Sequence, residues 1–515
     1  MSARELPARP HLDHLKHEAK ALYKAWQGDD PAALQRVRDA IGDTPERKLS
    51  LAQRVIAREY GFRTWAQLRS HVQASRSNDN GVDDFLSAVQ EQNVERAREV
   101  LRVHPHIATT SLHVAAALGL DDAAARLLAE NPGLVSARAG SPPADPLLFL
   151  CYSPFHGESD ARDTGLLATT RVLLAAGADP NTRDAQYSVP ALYAVTGMRS
   201  ILPIARLLLD AGANPTDGES IFHAAERFHE DALELLLSAG ADLNFVGDWG
   251  NTALYFLLRN WDIERETRVK RGFLWLLDHG ANPNVVSAAE RETALHVAAR
   301  RGQSLDVIRL LLDHGADINV RRGDGATPWL LARRGGFDAI ASLLESLGAE
   351  TQKLSNVDLL LAACGRGDAE AARHLASPAV LAALEPSDHQ LLIEAATLGR
   401  ENTVSACVAA GFPVNITDTS GATALHYSAL HGRARQVRML VETGATTDIR
   451  DKEHSSTPLG WACWGADFIG DADGDYEDCV RALLEAGAHL QANEYQPEHE
   501  GVRNVIASWA HPRTP

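Results

Sequence analysis

Apolar residues in this chain recur every three or four positions for one to three helical turns, stop at a glycine, and begin again. Val307-Ile-Arg-Leu-Leu-Leu312 is one such stripe, closed by Gly315-Ala316. Gly-Ala pairs also close stripes at Gly177, Gly212, Gly240, Gly280, Gly348, Gly444 and Gly487, mostly about 33 residues apart. Upstream of the stripes stands a second recurring phrase, Thr-Ala-Leu-His, at Thr293–His296 and Thr423–His426. Weaker copies are Ser111-Leu-His113, Thr252-Ala-Leu254, Thr327-Pro328 and Thr457-Pro-Leu459. A repeat of this length predicts an all-α solenoid of about eleven helix-turn-helix units joined by short β-hairpin loops. No single unit can bury its own apolar face, so neighbours must do it.

The phrase has mechanical reasons. Thr293, Thr327, Thr423 and Thr457 are predicted helix caps, and Pro328 and Pro458 take the first helical position, where a missing N–H costs nothing. Gly302 and Gly432 end the first helix of their units. Asn181, Asn244, Asn284, Asn319 and Asn415 open the next hairpin, where an amide can bond local backbone.

The first 77 residues follow another rule. Leu12, Leu15, Ala19, Leu22, Tyr23 and Trp26 form one stripe, and three further short helices follow, restarting at Asp30-Pro31, Leu49 and Thr64. They predict a small bundle over 1–77 with Leu22, Trp26, Leu34, Val37, Val55, Ile56, Phe62, Trp65 and Leu68 inside. A polar linker over 78–81, repeats over 82–500 and a closing helix with tail over 501–515 complete the division. Within the repeats, 358–390 is irregular, and Tyr152–Thr164, Arg259–Arg271 and Gly465–Asp478 are long insertions.

On these motifs, residues 82–500 resemble ankyrin repeats. Leu6-Pro-Ala-Arg-Pro10, Gln53–Phe62 and Trp65 are similar to the helical region that precedes the repeats in many bacterial ankyrin-repeat proteins. The resemblance implies that His296 and His426 tie adjacent repeats together by hydrogen bonds, a structural role. It also implies a binding face made of hairpin tips and first-helix ends.

On that face the register places Arg300, Arg301, Arg321, Arg322, Arg333, Arg334 and Arg366 on consecutive units. Guanidinium forks suit carboxylates, so the stretch can hold an acidic segment of a partner protein. Alternatively, Asp306, Asp313, Asp324 and Asp338 neutralise it internally. A second set, Asp418, His431, Arg450, Glu453, His454 and Trp464, occupies equivalent places on the last repeats, with Trp249 at another turn tip. Tryptophan and arginine are frequent interface anchors.

Charge and composition narrow the classes. The net charge of −18 argues against nucleic acid, although residues 1–77 hold 14 Lys+Arg against 9 Asp+Glu and so carry +5. Five cysteines without metal spacing read as reduced core thiols. No signal peptide or membrane-length run is evident, so a cytoplasmic protein is expected. No phosphate loop, nucleophile elbow or zinc helix is present. No cofactor, metal or small-molecule substrate is therefore expected. The reading is a non-catalytic protein-binding scaffold. The alternative is an enzyme or enzyme regulator in which the N-terminal bundle acts and the repeats select the target.

Overall fold

A computed structural model describes residues 12–510, apart from 43, 45–46, 186–187, 249, 289–290, 472–473 and 492–493. The chain divides into two compact units, Met1–Ser220 with Asp231–Ala241, and Ile221–Glu230 with Asp242–Pro515.

The first unit opens with helices Leu12–Gln27, Pro31–Ile41, Leu49–Glu59 and Trp65–Gln90. Asp30 caps the second by accepting from the Ala33 amide at 2.8 Å, and Thr64 caps the fourth. Leu22, Trp26, Val37, Val55, Ile56 and Leu68 are buried together, with Leu34, Phe62 and Trp65 packed at the margin. The linker predicted at 78–81 is instead part of the helix Trp65–Gln90. A polar run carries no periodicity to read, yet a helix polar on all sides can persist between packed ends. Gly81 costs that helix about 1 kcal/mol of propensity, but a Cβ there would lie 2.9 Å from Cγ of His104. Further on, the device of the repeat appears once more: Ser111 caps Leu112–Ala117, and His113 Nε2 bonds the Ala137 carbonyl at 2.8 Å.

The second unit alternates first helices (Ala253–Asn260, Ala294–Arg301, Pro328–Arg334, Asn356–Arg366, Gln390–Thr397, Ala424–Leu430 and Pro458–Phe468) with second helices that cover them. Thr327 and Thr457 accept from the amides of Leu330 and Gly460, behind Pro328 and Pro458. Thr293 and Thr423 cap with their histidines. The Thr293 amide donates to His296 Nδ1 at 3.1 Å, which leaves Nε2 to donate to the Ala326 carbonyl in the next hairpin at 3.2 Å. His426 repeats this with Thr423 and the Ser456 carbonyl. The closing helix, Glu500–Ala510, buries Val502 and Val505, whereas Trp509 is 39% exposed.

Two expectations need correction. Among the described residues the loops contain no β-strands, only isolated bridges at Ala139–Ala144 and Arg183–Pro190. The hairpins close on one or two backbone bonds, such as Arg322 N to Ala326 O at 3.0 Å, too few to make a ladder. The asparagines also reach farther than local backbone. Asn284 donates to Gly315 O and accepts from the Asp317 amide, both at 2.7 Å, and so staples one repeat to the next. Asn319 and Asn415 likewise accept from the amides of Glu350 and Thr446 in the following repeat.

Burial lowers the pKa of both His296 and His426 from the usual imidazole value, so both are neutral in the fold. Their contribution is fully present above the unfolded value near pH ~6.5 and is lost as pH falls below it, because the unfolded chain takes up the protons. The thermal midpoint should therefore drop between pH 7.5 and pH 5. The double variant His296→Gln, His426→Gln should start lower and fall less steeply. An equal slope in the two proteins would show that other groups set the pH response.

Candidate binding cleft

The helix Ala294–Arg301 ends in Arg300 and Arg301, and Gly302 stops it with φ 72°. Both arginines therefore leave the helix at its open end. Arg322 follows in the next hairpin and Arg334 at the end of the next first helix, Pro328–Arg334. These four line a cleft of about 600 Å³ together with Arg259, Leu331, Leu361, Ile393 and Tyr427. The irregular unit supplies one wall of it, through Leu361, Ser387 and Asp388.

Carboxylates bind the arginines in pairs. Glu292 is wholly buried and accepts from Arg322 Nη1 at 2.6 Å, Arg300 Nη2 at 3.1 Å and the Tyr255 hydroxyl at 3.3 Å. Burial alone would raise its pKa, but the charges of Arg300 and Arg322 outweigh it and hold the carboxyl below the usual range. Arg322 also forks onto Asp324 at 2.7 and 2.8 Å. Arg300 reaches Glu394, which lies on Gln390–Thr397 beyond two intervening first helices. Arg334 binds Asp358 at 2.7 Å and lies 3.5 Å from Asp388. Arg301 is the exception, since its one ion pair among the described residues is with Glu394 at 3.7 Å.

The seven arginines therefore do not form one row. Arg300, Arg301, Arg322 and Arg334 share the cleft. Arg333 pairs with Asp338 at 2.6 Å, Arg366 lies 4.0 Å from that same carboxylate, and exposed Arg321 pairs with Glu350. Of the neutralising residues expected, Asp324 and Asp338 take that part, while Asp306 pairs with Arg309. Glu292, Glu394, Asp358 and Asp388 were not foreseen.

The second predicted set does not assemble as one site either. Asp418 lines the cleft and accepts from the Tyr427 and Ser420 hydroxyls, both at 2.7 Å. Half-buried Arg450 donates to the Ser455 carbonyl and approaches Glu494 at 3.4 Å. Glu453 and His454 are exposed at a hairpin whose amides are held by Asp451. His431 sits 3.5 Å from Asp471. Trp464 is 42% exposed and stacks at a tilt on Phe468, 5.1 Å away, while Trp461 packs edge-on against His426 and Tyr427. Trp249 lies outside the described residues.

Threonine caps, proline-initiated helices, histidines that hold the following hairpin and asparagines that staple repeats are thus all in place. A profile for ankyrin repeats in many copies matches residues 221–265, and one for three copies matches 266–355, 359–451 and 392–494. The human cyclin-dependent kinase 4 inhibitor B is 34% identical over 128 residues, covering 25% of this chain and 86% of that protein. This chain is an ankyrin-repeat protein. A putative ankyrin repeat protein of Fowlpox virus is 33% identical over 167 residues, 30% of this chain and 47% of the relative. The ARF GTPase-activating protein Git of Drosophila melanogaster is 30% identical over 164 residues, 28% of this chain and 22% of the relative. The ankyrin chain thus spans less than half the length of these two relatives. The matched profiles begin at residue 221, and helices precede them. Ankyrin repeats are generally protein–protein interaction modules. No helix among the described residues is long and apolar enough to cross a membrane.

Proposed function

We propose that this ankyrin-repeat protein is a non-catalytic scaffold whose cleft between Arg300 and Tyr427 receives a segment of a partner protein. The observation that carries this reading is the cleft's built state: three of its five arginines, Arg300, Arg322 and Arg334, are held by buried carboxylates before any partner arrives. A preordered surface spares the partner the entropy of ordering it, and about 600 Å³ suits a short segment. The setting we propose is a bacterial-type cytoplasm. The resemblance of the N-terminal helices supports it, as do five free, buried cysteines.

Thr397 lines the cleft and is half-buried, so Thr397→Trp should fill the space without disturbing a core. Full-length protein and this variant, immobilised as baits in extract of the source cells, should differ in the partners they retain while sharing a thermal midpoint. Identical partner sets, or a set lost only on Trp464→Ala, would place recognition elsewhere and end the cleft reading.

A further inference from the structure

We propose that the cleft recognises a carboxylate on the partner segment, an aspartate or glutamate side chain seated between Arg301 and Arg259. This rests on the cleft being the binding site and names the chemistry it selects.

The argument is a balance of donors and acceptors. Every carboxylate in the cleft is engaged: Glu292 by Arg300, Arg322 and Tyr255; Glu394 by Arg300; Asp388 by Arg334 and the Glu385 amide; Asp418 by Tyr427 and Ser420. The donors are not all used. Arg301 has a side chain only 10% exposed, its Nε is buried with no hydrogen-bond partner, and its single carboxylate contact, at 3.7 Å, is with a group already bound to Arg300. Arg259, exposed at the end of Ala253–Asn260, lines the same cleft and has no ion pair among the described residues. Burial, together with the like charges of Arg300 and Arg259, lowers the Arg301 pKa despite Glu394. The two guanidinium groups thus repel each other in a site with spare donors. A buried cation with unused N–H groups is costly, and an entering anion would relieve it.

The surroundings choose among anions. Glu394 and Asp418 border the same space, so a doubly charged phosphate meets repulsion that a singly charged, planar carboxylate largely escapes while still matching the fork. Leu331, Leu361 and Ile393 give the cleft an apolar side. The preferred segment is therefore an acidic residue flanked by apolar ones in an extended chain.

The test uses the full chain and two dansyl-labelled peptide amides, Gly-Leu-Glu-Leu-Gly and its glutamine counterpart, read by fluorescence anisotropy with inorganic phosphate as competitor. The glutamate peptide should bind about tenfold tighter than the glutamine one, with the margin shrinking as salt rises. Arg259→Gln and Arg301→Met should each bring the two peptides level, and Arg321→Gln should not. Arg259 is exposed and Arg301 poorly paired, so both variants should keep the parental thermal midpoint. Equal binding of the two peptides, a glutamate preference that survives in both variants, or Arg301-dependent binding of phosphate alone would overturn the proposal. If both peptides bind equally and Thr397→Trp abolishes both, the cleft reading stands and only the carboxylate falls. Peptide binding untouched by Thr397→Trp would remove the cleft reading itself.

Discussion

Glu292→Gln should destabilise the second unit by about 3 kcal/mol, the lower end of what removing one partner of a buried ion pair costs. The carboxylate is wholly buried and answers two arginines at 2.6 and 3.1 Å. Glutamine keeps the shape and one acceptor but removes the charge, which leaves Arg300 and Arg322 underpaired in a poorly solvated place. The loss stops short of the upper range of about 5 kcal/mol because each arginine has a second partner, Glu394 and Asp324 respectively. Denaturant unfolding of the full chain, followed by far-UV circular dichroism, measures the shift. Repeat proteins can unfold in parts, so midpoints should be compared transition by transition. Adding Arg322→Gln to Glu292→Gln should recover part of the loss, because the second change removes a cation that the first has stranded. Strict additivity would show that Arg322 draws nothing from Glu292, and the network described for the cleft would be wrong.

That network also shows where sequence reasoning stops. The arginines were legible because their positions follow from local features. A threonine cap fixes the start of the two helices that carry Arg300 and Arg334, a glycine follows the last residue of each, and the residues between take their faces from helical period. Their partners were not legible. Arg300 and Glu394 lie 94 residues apart, and Gln390–Thr397 begins where the irregular stretch 358–390 ends, so the repeat register does not link it to the units before. Glu292 sits one residue before Thr293, and nothing in its neighbourhood distinguishes it from any solvated glutamate ahead of a cap. Its burial comes from Tyr255, Arg300 and Arg322 converging from three repeats.

The same distinction explains the smaller misreadings. The polar run near 78–81 reads as a linker because composition alone is visible in the sequence, while the close approach of Gly81 to His104 requires the fold. Hairpins were expected from the turn chemistry, which is local and correct. Strands were not formed because each arm contributes too few residues, and the load between repeats passes to asparagine side chains instead. Trp509 shares a helix with Val502, Val505 and Ile506, yet those three make the cover there and Trp509 stays exposed. Local chemistry was readable throughout, and what depended on which repeats meet across the cleft was not.

Gly302→Ala should cost more than Gly315→Ala, and the difference measures how tightly one repeat is seated on the next. Both glycines have left-handed backbones, φ 72° and 86°, where a Cβ costs about 1–2 kcal/mol. At Gly315 nothing lies within 4 Å of the added carbon, so that backbone cost is the whole effect. At Gly302 the carbon would fall 2.1 Å from Cε1 of Phe337, far inside contact distance. Phe337 cannot retreat freely, because the Arg400 guanidinium lies 4.5 Å over its ring and is itself held by the carbonyls of Gly335 and Gly365 at 2.9 and 2.5 Å. An overpacked position adds about 1–3 kcal/mol, which puts Gly302→Ala at about 2–5 kcal/mol against about 1–2 for the control. The double variant Gly302→Ala, Phe337→Ala should be less destabilised than the sum of its parts, since the smaller side chain makes room for the methyl group. If Gly302→Ala and Gly315→Ala shift the unfolding midpoint equally, Phe337 moves aside without cost. In that case the first-helix ends that carry Arg300 and Arg301 are not fixed by the packing between repeats.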